Sequence, residues 1–133
     1  MNTTYFLDLV AGNVFGSKKS PALPATYFIG LSTTAPSADG TNVTEPDSSV
    51  GYAREEITNL TEPEGGIVKN QHPITFSESS GSWGTITHYG VFDQKENGNL
   101  LMYGEVDPPR VVDVGTTMTI KDGVLQLFVQ DAV

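Results

Sequence analysis

The chain of 133 residues contains no cysteine. That rules out a disulfide framework and any thiolate-ligated metal, and it suits a protein made in a reducing cytoplasm. Basic residues are scarce: 7 Lys and Arg stand against 16 Asp and Glu, for a formal charge of -9. Such a surface repels phosphates and has few cations to release counterions, so neither nucleic acid nor an anionic membrane is an expected partner. No apolar run approaches the roughly 20 residues of a membrane span. The N-terminus has neither a basic n-region nor an uninterrupted apolar stretch, which argues against a secretory leader. Histidine occurs only at positions 72 and 88, and tryptophan only at position 83. Also missing are a Gly-x-Ser-x-Gly elbow, a His-Glu-x-x-His helix, a phosphate-cradling Gly-x-x-x-x-Gly-Lys loop and any internal repeat of about 20 to 50 residues.

What is present points to short strands. There are 14 Gly and 8 Pro among abundant Ser and Thr, a mixture that favours turns over long helices. The length fits one domain, 1–133, which buries roughly two-thirds of its unfolded surface and can build a core without cross-links. One helix is expected, at about 3–15. Thr3 or Thr4 caps it, Phe6, Leu9, Val10 and Val14 recur at helical spacing, Gly16 stops it, and Lys18 and Lys19 lie just beyond. Its apolar face needs cover, either from the domain's own sheet or from a neighbouring subunit.

Strand-like runs follow at 26–32, 51–57, 67–70, 73–76, 85–92, 100–106, 117–121 and 124–129. The pair at 67–76 reads as two short strands or as one broken at His72-Pro73. Between the first two runs, residues 33–49 are polar and long for a loop, which predicts mobility or function. Asn97-Gly98 and Asp122-Gly123 are hairpin signals, and Asp107-Pro-Pro-Arg110 is expected to break the strand before it. The fold class is therefore all-β: a compact β-sandwich or small barrel of about seven to eight antiparallel strands with one short N-terminal helix.

The residues give little sign of catalysis. His72 precedes a proline in a turn and reads as solvated. His88 lies mid-strand between Thr87 and Tyr89 and reads as a hydrogen-bonding structural residue. No acidic residue falls at a spacing that would complete a metal site with them, so no catalytic residue, cofactor or metal is assigned. Trp83, Tyr89 and Tyr103, with Tyr52 nearby, are the candidates for binding: aromatic rings among polar neighbours can stack on sugars. The competing reading makes Trp83 a plug at the edge of the core.

Several segments occur here in an order that resembles a known group. They are Thr26-Tyr-Phe-Ile-Gly-Leu-Ser-Thr-Thr-Ala-Pro36, Gly51-Tyr-Ala-Arg54, Ile74-Thr-Phe76, Gly81-Ser-Trp-Gly-Thr-Ile-Thr-His-Tyr-Gly-Val-Phe-Asp93 and Gly98-Asn-Leu-Leu-Met-Tyr-Gly104. Together they resemble small phage and prophage proteins of the tail-fibre or minor virion type, with Trp-Gly-Thr-Ile-Thr-His as the most specific stretch. The resemblance implies a non-enzymatic structural component of a bacteriophage virion, made in the bacterial host cytoplasm and associated with the tail or its fibres. It would dock in multiple copies on other virion proteins, as a homo-oligomer or larger assembly, with closed symmetry such as a trimer. Two other functions fit the same chain: a decoration protein on the capsid surface, and a module binding a host-surface glycan.

Overall fold

Residues 1–16 and 21–129 are described in the computed structural model of the chain. One α-helix precedes eight strands: α1 (Thr4–Val14), β1 (Phe28–Ser32), β2 (Glu55–Glu56), β3 (Ile67–Lys69), β4 (Ile74–Thr75), β5 (Gly84–Phe92), β6 (Leu100–Val112), β7 (Thr119–Ile120) and β8 (Gln126–Phe128). Every pairing between them is antiparallel. The all-β class and the single short N-terminal helix agree with the sequence reading. Four strands form one sheet in the order β2-β1-β5-β6, and β3-β8 and β4-β7 form two short ladders.

The two short ladders are pieces of one antiparallel ribbon. Lys69 opposes Gln126, Ile74 opposes Ile120 and the pairing continues to Thr75 and Thr119, so 67–75 runs against 119–128 with one interruption. His72-Pro73 lies in that interruption, because proline has no N–H to give to a ladder. The Asp122-Gly123 turn is present, but β7 and β8 do not pair with each other as a hairpin would require. Asn70 takes up the polar groups at the break instead. Its Nδ2 donates to the carbonyls of His72 (2.9 Å) and Lys121 (3.0 Å), and its Oδ1 accepts from the N–H of Leu125 (3.0 Å). Asn70 is only 1% exposed. Truncation would leave the buried Leu125 N–H without its acceptor and take a donor from the carbonyls of His72 and Lys121, of which the second still accepts from Val124, so Asn70→Ala is expected to cost about 1–3 kcal/mol by urea unfolding. A loss under about 0.5 kcal/mol would mean the break is held by something else.

Sheet and ribbon close on one core. Ile29 and Leu31 of β1, Ile86 and Val91 of β5, and Met102 and Val112 of β6 meet Ile74, Phe76, Met118, Ile120 and Leu125 from the ribbon side. Packing two β layers face to face in this way needs alternating apolar positions, which β1 supplies with Ile29 and Leu31, both 0% exposed.

α1 begins where the sequence places it. Thr3 is the N-cap, accepting from the N–H of Phe6, and its hydroxyl also donates to the carbonyls of Leu100 (2.7 Å) and Leu101 (3.1 Å). Phe6 and Leu9 are buried against Leu101, so the first two turns cover the chain's own sheet. The last turn does not: Val14 is 56% and Phe15 87% exposed. The expected Lys18 and Lys19 beyond the helix lie outside the described residues.

β6 departs from expectation. Asp107-Pro108-Pro109 does not end it; the strand continues to Val112. Ile86 pairs with Arg110 and His88 with Glu105, so residues 106–109 bulge opposite the single residue Thr87. The prolines are tolerated because β6 is the edge of its sheet and the bulge needs no ladder N–H from them. The same irregularity breaks the simple two-residue alternation in β5. Ile86 and Val91 both reach the core, whereas strict alternation would put them on opposite faces.

Candidate functional site

Gly51-Tyr-Ala-Arg54 was expected to be strand, but only Glu55 and Glu56 join the ladder. The alternation still holds, with Tyr52 and Arg54 buried and Ala53 exposed. Their side chains displace the ladder. The Tyr52 hydroxyl accepts from the N–H of Leu31 (2.9 Å), the backbone donor β1 is left with where β2 stops. The same hydroxyl donates to Glu45, brought over from the 33–49 segment. Burial and the neighbouring Glu45 carboxylate push the Tyr52 hydroxyl far above the ordinary tyrosine range.

Arg54 completes the cluster. Nη2 and Nε grip the two oxygens of Glu45 at 2.7 and 3.0 Å, in a bidentate fork. Nη1 donates to the carbonyls of Gln94 (2.8 Å) and Asn97 (2.7 Å) in the β5–β6 turn. The guanidinium lies 3.5 Å from the centroid of the Phe92 ring. Asn97 and Gly98 both hold positive φ in the connection closed by the Asp93 N–H donating to the Asn99 carbonyl, and the Asn97 carbonyl faces Arg54 there. A Cβ at Gly30 would sit 2.8 Å from the Tyr52 hydroxyl and 2.9 Å from Glu45, so glycine is needed for the clasp to close over β1.

The cluster lies beside a recess of about 390 Å³. Its charged groups nevertheless satisfy one another, and Arg54 is only 8% exposed. Its chemistry is that of a tie between the 33–49 segment, β1 and the β5–β6 turn. The other acids of that segment have separate partners: Asp39 accepts from Thr41, and Asp47 caps the 3-10 turn Ser48–Val50 through the N–H of Ser49. Both carboxyls are held below their ordinary pKa, mainly by those hydrogen bonds. Among the described residues no group of three or more His, Asp or Glu is placed to hold a metal ion.

The three aromatic candidates do not converge. Trp83 is 3% exposed, packs edge-on to Tyr52 (5.4 Å between centroids) and donates its indole N–H to the carbonyl of Val50 at 2.8 Å. Tyr89 pairs with Gly104, and Tyr103 with Gly90, so the two rings leave opposite faces of the same ladder. Tyr103 is half-buried beside the N-terminus, where its N–H donates to the carbonyl of Met1. His88 bonds to the Thr87 hydroxyl through Nδ1 at 2.9 Å, and His72 is exposed.

Tyr89 alone opens onto a cleft, of about 240 Å³, walled by the bulge of β6 and by β7. Glu105, Asp107, Arg110 and Lys121 share its rim. Of these only Tyr89 stands out in the sequence, since the bulge of β6 gathers Glu105, Asp107 and Arg110 and the end of β7 brings Lys121. A third hollow, of about 230 Å³, is largely apolar and lies between α1 and the ribbon, lined by Phe6, Tyr27, Val68, Leu101, Leu127 and Phe128 among others.

No curated protein matches the chain. A family model described as Podophage GP4 fiber I protein gp80 matches residues 3–128, from the cap of α1 to the end of β8. The chain belongs to that family.

Proposed function

We propose that this protein is a non-enzymatic structural component of a bacteriophage virion, associated with the tail fibres and docked there in several copies on other virion proteins. The family match over residues 3–128 carries the reading, because it spans the whole described β-structure and names a fibre protein. Trp-Gly-Thr-Ile-Thr-His serves as a recognisable stretch of the chain because it contributes Trp83 and Ile86 to the core and starts the central strand. The chain acts as a single β-sandwich domain on the particle, with the 33–49 segment facing outward beyond its Glu45 tie.

Two surfaces bear on docking, and physical chemistry favours one. The free edge of β6 from Glu105 to Val112 carries Pro108, Pro109 and three charged side chains, the pattern that discourages strand addition. The end of α1 presents Val14 and Phe15 to solvent, and exposed large apolar side chains mark contact surfaces when they cluster. α1 is therefore the docking element in this reading. Immunogold electron microscopy of the phage tests it: several gold particles per fibre are expected. Label confined to the head surface, or a monomeric protein with no affinity for purified particles, would overturn the fibre assignment.

A further inference from the structure

We propose that the cleft between the β6 bulge and β7 is a binding site for a neutral saccharide, built around Tyr89, Glu105, Asp107, Arg110 and Lys121.

Hydrogen-bonding capacity in this cleft is left open. The Tyr89 hydroxyl is half-buried and has no hydrogen-bond partner among the described residues, and burial raises its pKa. None of the side chains of Glu105, Asp107, Arg110 and Lys121 makes an ion pair or hydrogen bond within the described structure; Arg54–Glu45 is the one ion pair found there. Two acceptor groups and two donor groups thus surround one concavity and pair with nothing among the described residues. The contrast with Arg54, whose donors are almost all engaged, is the reason this cleft is the binding site and the Arg54 recess is not.

The ring is held in place from behind. Tyr89 lies over Gly104, its cross-strand partner, so closely that a Cβ there would sit 2.6–2.8 Å from the phenol. An aromatic ring fixed in this way, beside the half-buried Val106, offers apolar surface for the C–H face of a sugar, while the rim accepts from and donates to its hydroxyls. The ligand class follows from charge and size. Two carboxylates and two cations sum to no net charge in the cleft, and the chain as a whole carries -9, so an anionic glycan gains nothing on approach and is repelled at distance. The volume of about 240 Å³ lies below the ~300–1,000 Å³ of sites for drug-sized ligands, which fits a compact unit such as one end of a glycan chain.

The test is a printed array of defined neutral and anionic bacterial saccharides, followed by titration of any saccharide retained. The full chain is expected to retain neutral saccharides. Tyr89→Phe removes only the unpartnered hydroxyl and keeps the ring over Gly104, and Glu105→Gln and Asp107→Asn change exposed rim residues, so all three should fold like the parent by circular dichroism. Each should weaken binding about tenfold, the loss of one hydrogen bond to a charged or half-buried group. Amide shifts on titration should fall at Tyr89, 104–107, Arg110 and Lys121. A parent protein that retains no saccharide, one that retains only anionic saccharides, or binding unchanged in all three variants would overturn the proposal.

Discussion

Arg54→Ala should destabilise the protein by about 3–5 kcal/mol, the largest single effect expected outside the apolar core. Removing the guanidinium leaves Glu45 bonded only to Tyr52 and takes the side-chain donor from the carbonyls of Gln94 and Asn97, while Phe92 loses the cation over its ring. The cost arises because one partner of a buried pair is left uncompensated, which exceeds the net value of the pair itself. Domains of this kind are stable by only ~5–15 kcal/mol, so the variant should unfold at much lower urea concentration with an unchanged m-value. Arg54→Lys should recover only a minor part, because an ammonium cannot reproduce the fork to Glu45 and the two turn carbonyls together. A loss for Arg54→Ala of about 1 kcal/mol or less would place the cluster among weak surface pairs and remove its role as a tie.

Trp83→Ala is expected to cost about 3–5 kcal/mol as well, by a different mechanism. The indole fills the end of the core next to Tyr52, which in turn stacks on Phe76, so truncation opens a cavity that the rigid strands on either side cannot close. Trp83→Phe keeps most of the ring and loses the bond to the Val50 carbonyl, which still accepts from Ser80, and should cost about 1–2 kcal/mol. The pair separates packing from hydrogen bonding by thermal or urea unfolding. If both variants proved equally mild, Trp83 would not be a core residue in solution, and its use as a stacking surface for sugars would return.

These two residues lie on one connected cluster, since Tyr52 touches both Trp83 and the Glu45–Arg54 pair. Their effects should therefore not add simply. Gly51-Tyr-Ala-Arg54 lies in the run 51–57 that the sequence predicts as a strand, and Tyr52 and Arg54 bury on one side of it. What could not be seen was that Glu45, in a polar loop, would be the partner, because nothing in spacing alone links position 45 to position 54 across a 3-10 turn.

The binding candidates show the same division. Trp83, Tyr89 and Tyr103 stood out as aromatic residues among polar neighbours, and alternation alone would have put Tyr89 and Tyr103 on opposite faces only if their register were known. Register depends on where bulges fall, and the shifts at Ile86/His88 and Val91/Phe92 are tertiary events. Glu105, Asp107 and Arg110 carried no signal as a group, because a Pro-Pro segment read as a strand break instead of a bulge. Asn70 was similarly silent: a buried asparagine is recognised by the backbone groups it satisfies, and those come from 121–125 as well as from its own neighbours.

Local chemistry was enough for the element types. Period-two apolar runs, Gly punctuation and the Thr3 cap pointed to one short helix and about seven to eight strands, where the described residues form one helix and eight strands, because each signal acts within a few residues of itself. The absence of cysteine likewise excludes disulfides and thiolate-bound metals whatever the fold. Tertiary structure alone decided that β3 with β4 faces β7 with β8 as one ribbon, that Glu45 clasps Arg54, and that Tyr89 opens onto a charged cleft while Trp83 is sealed in the core. Those outcomes rest on groups separated by tens of residues, whose meeting depends on register and on the burial of unsatisfied backbone, and neither quantity is a property of any local stretch.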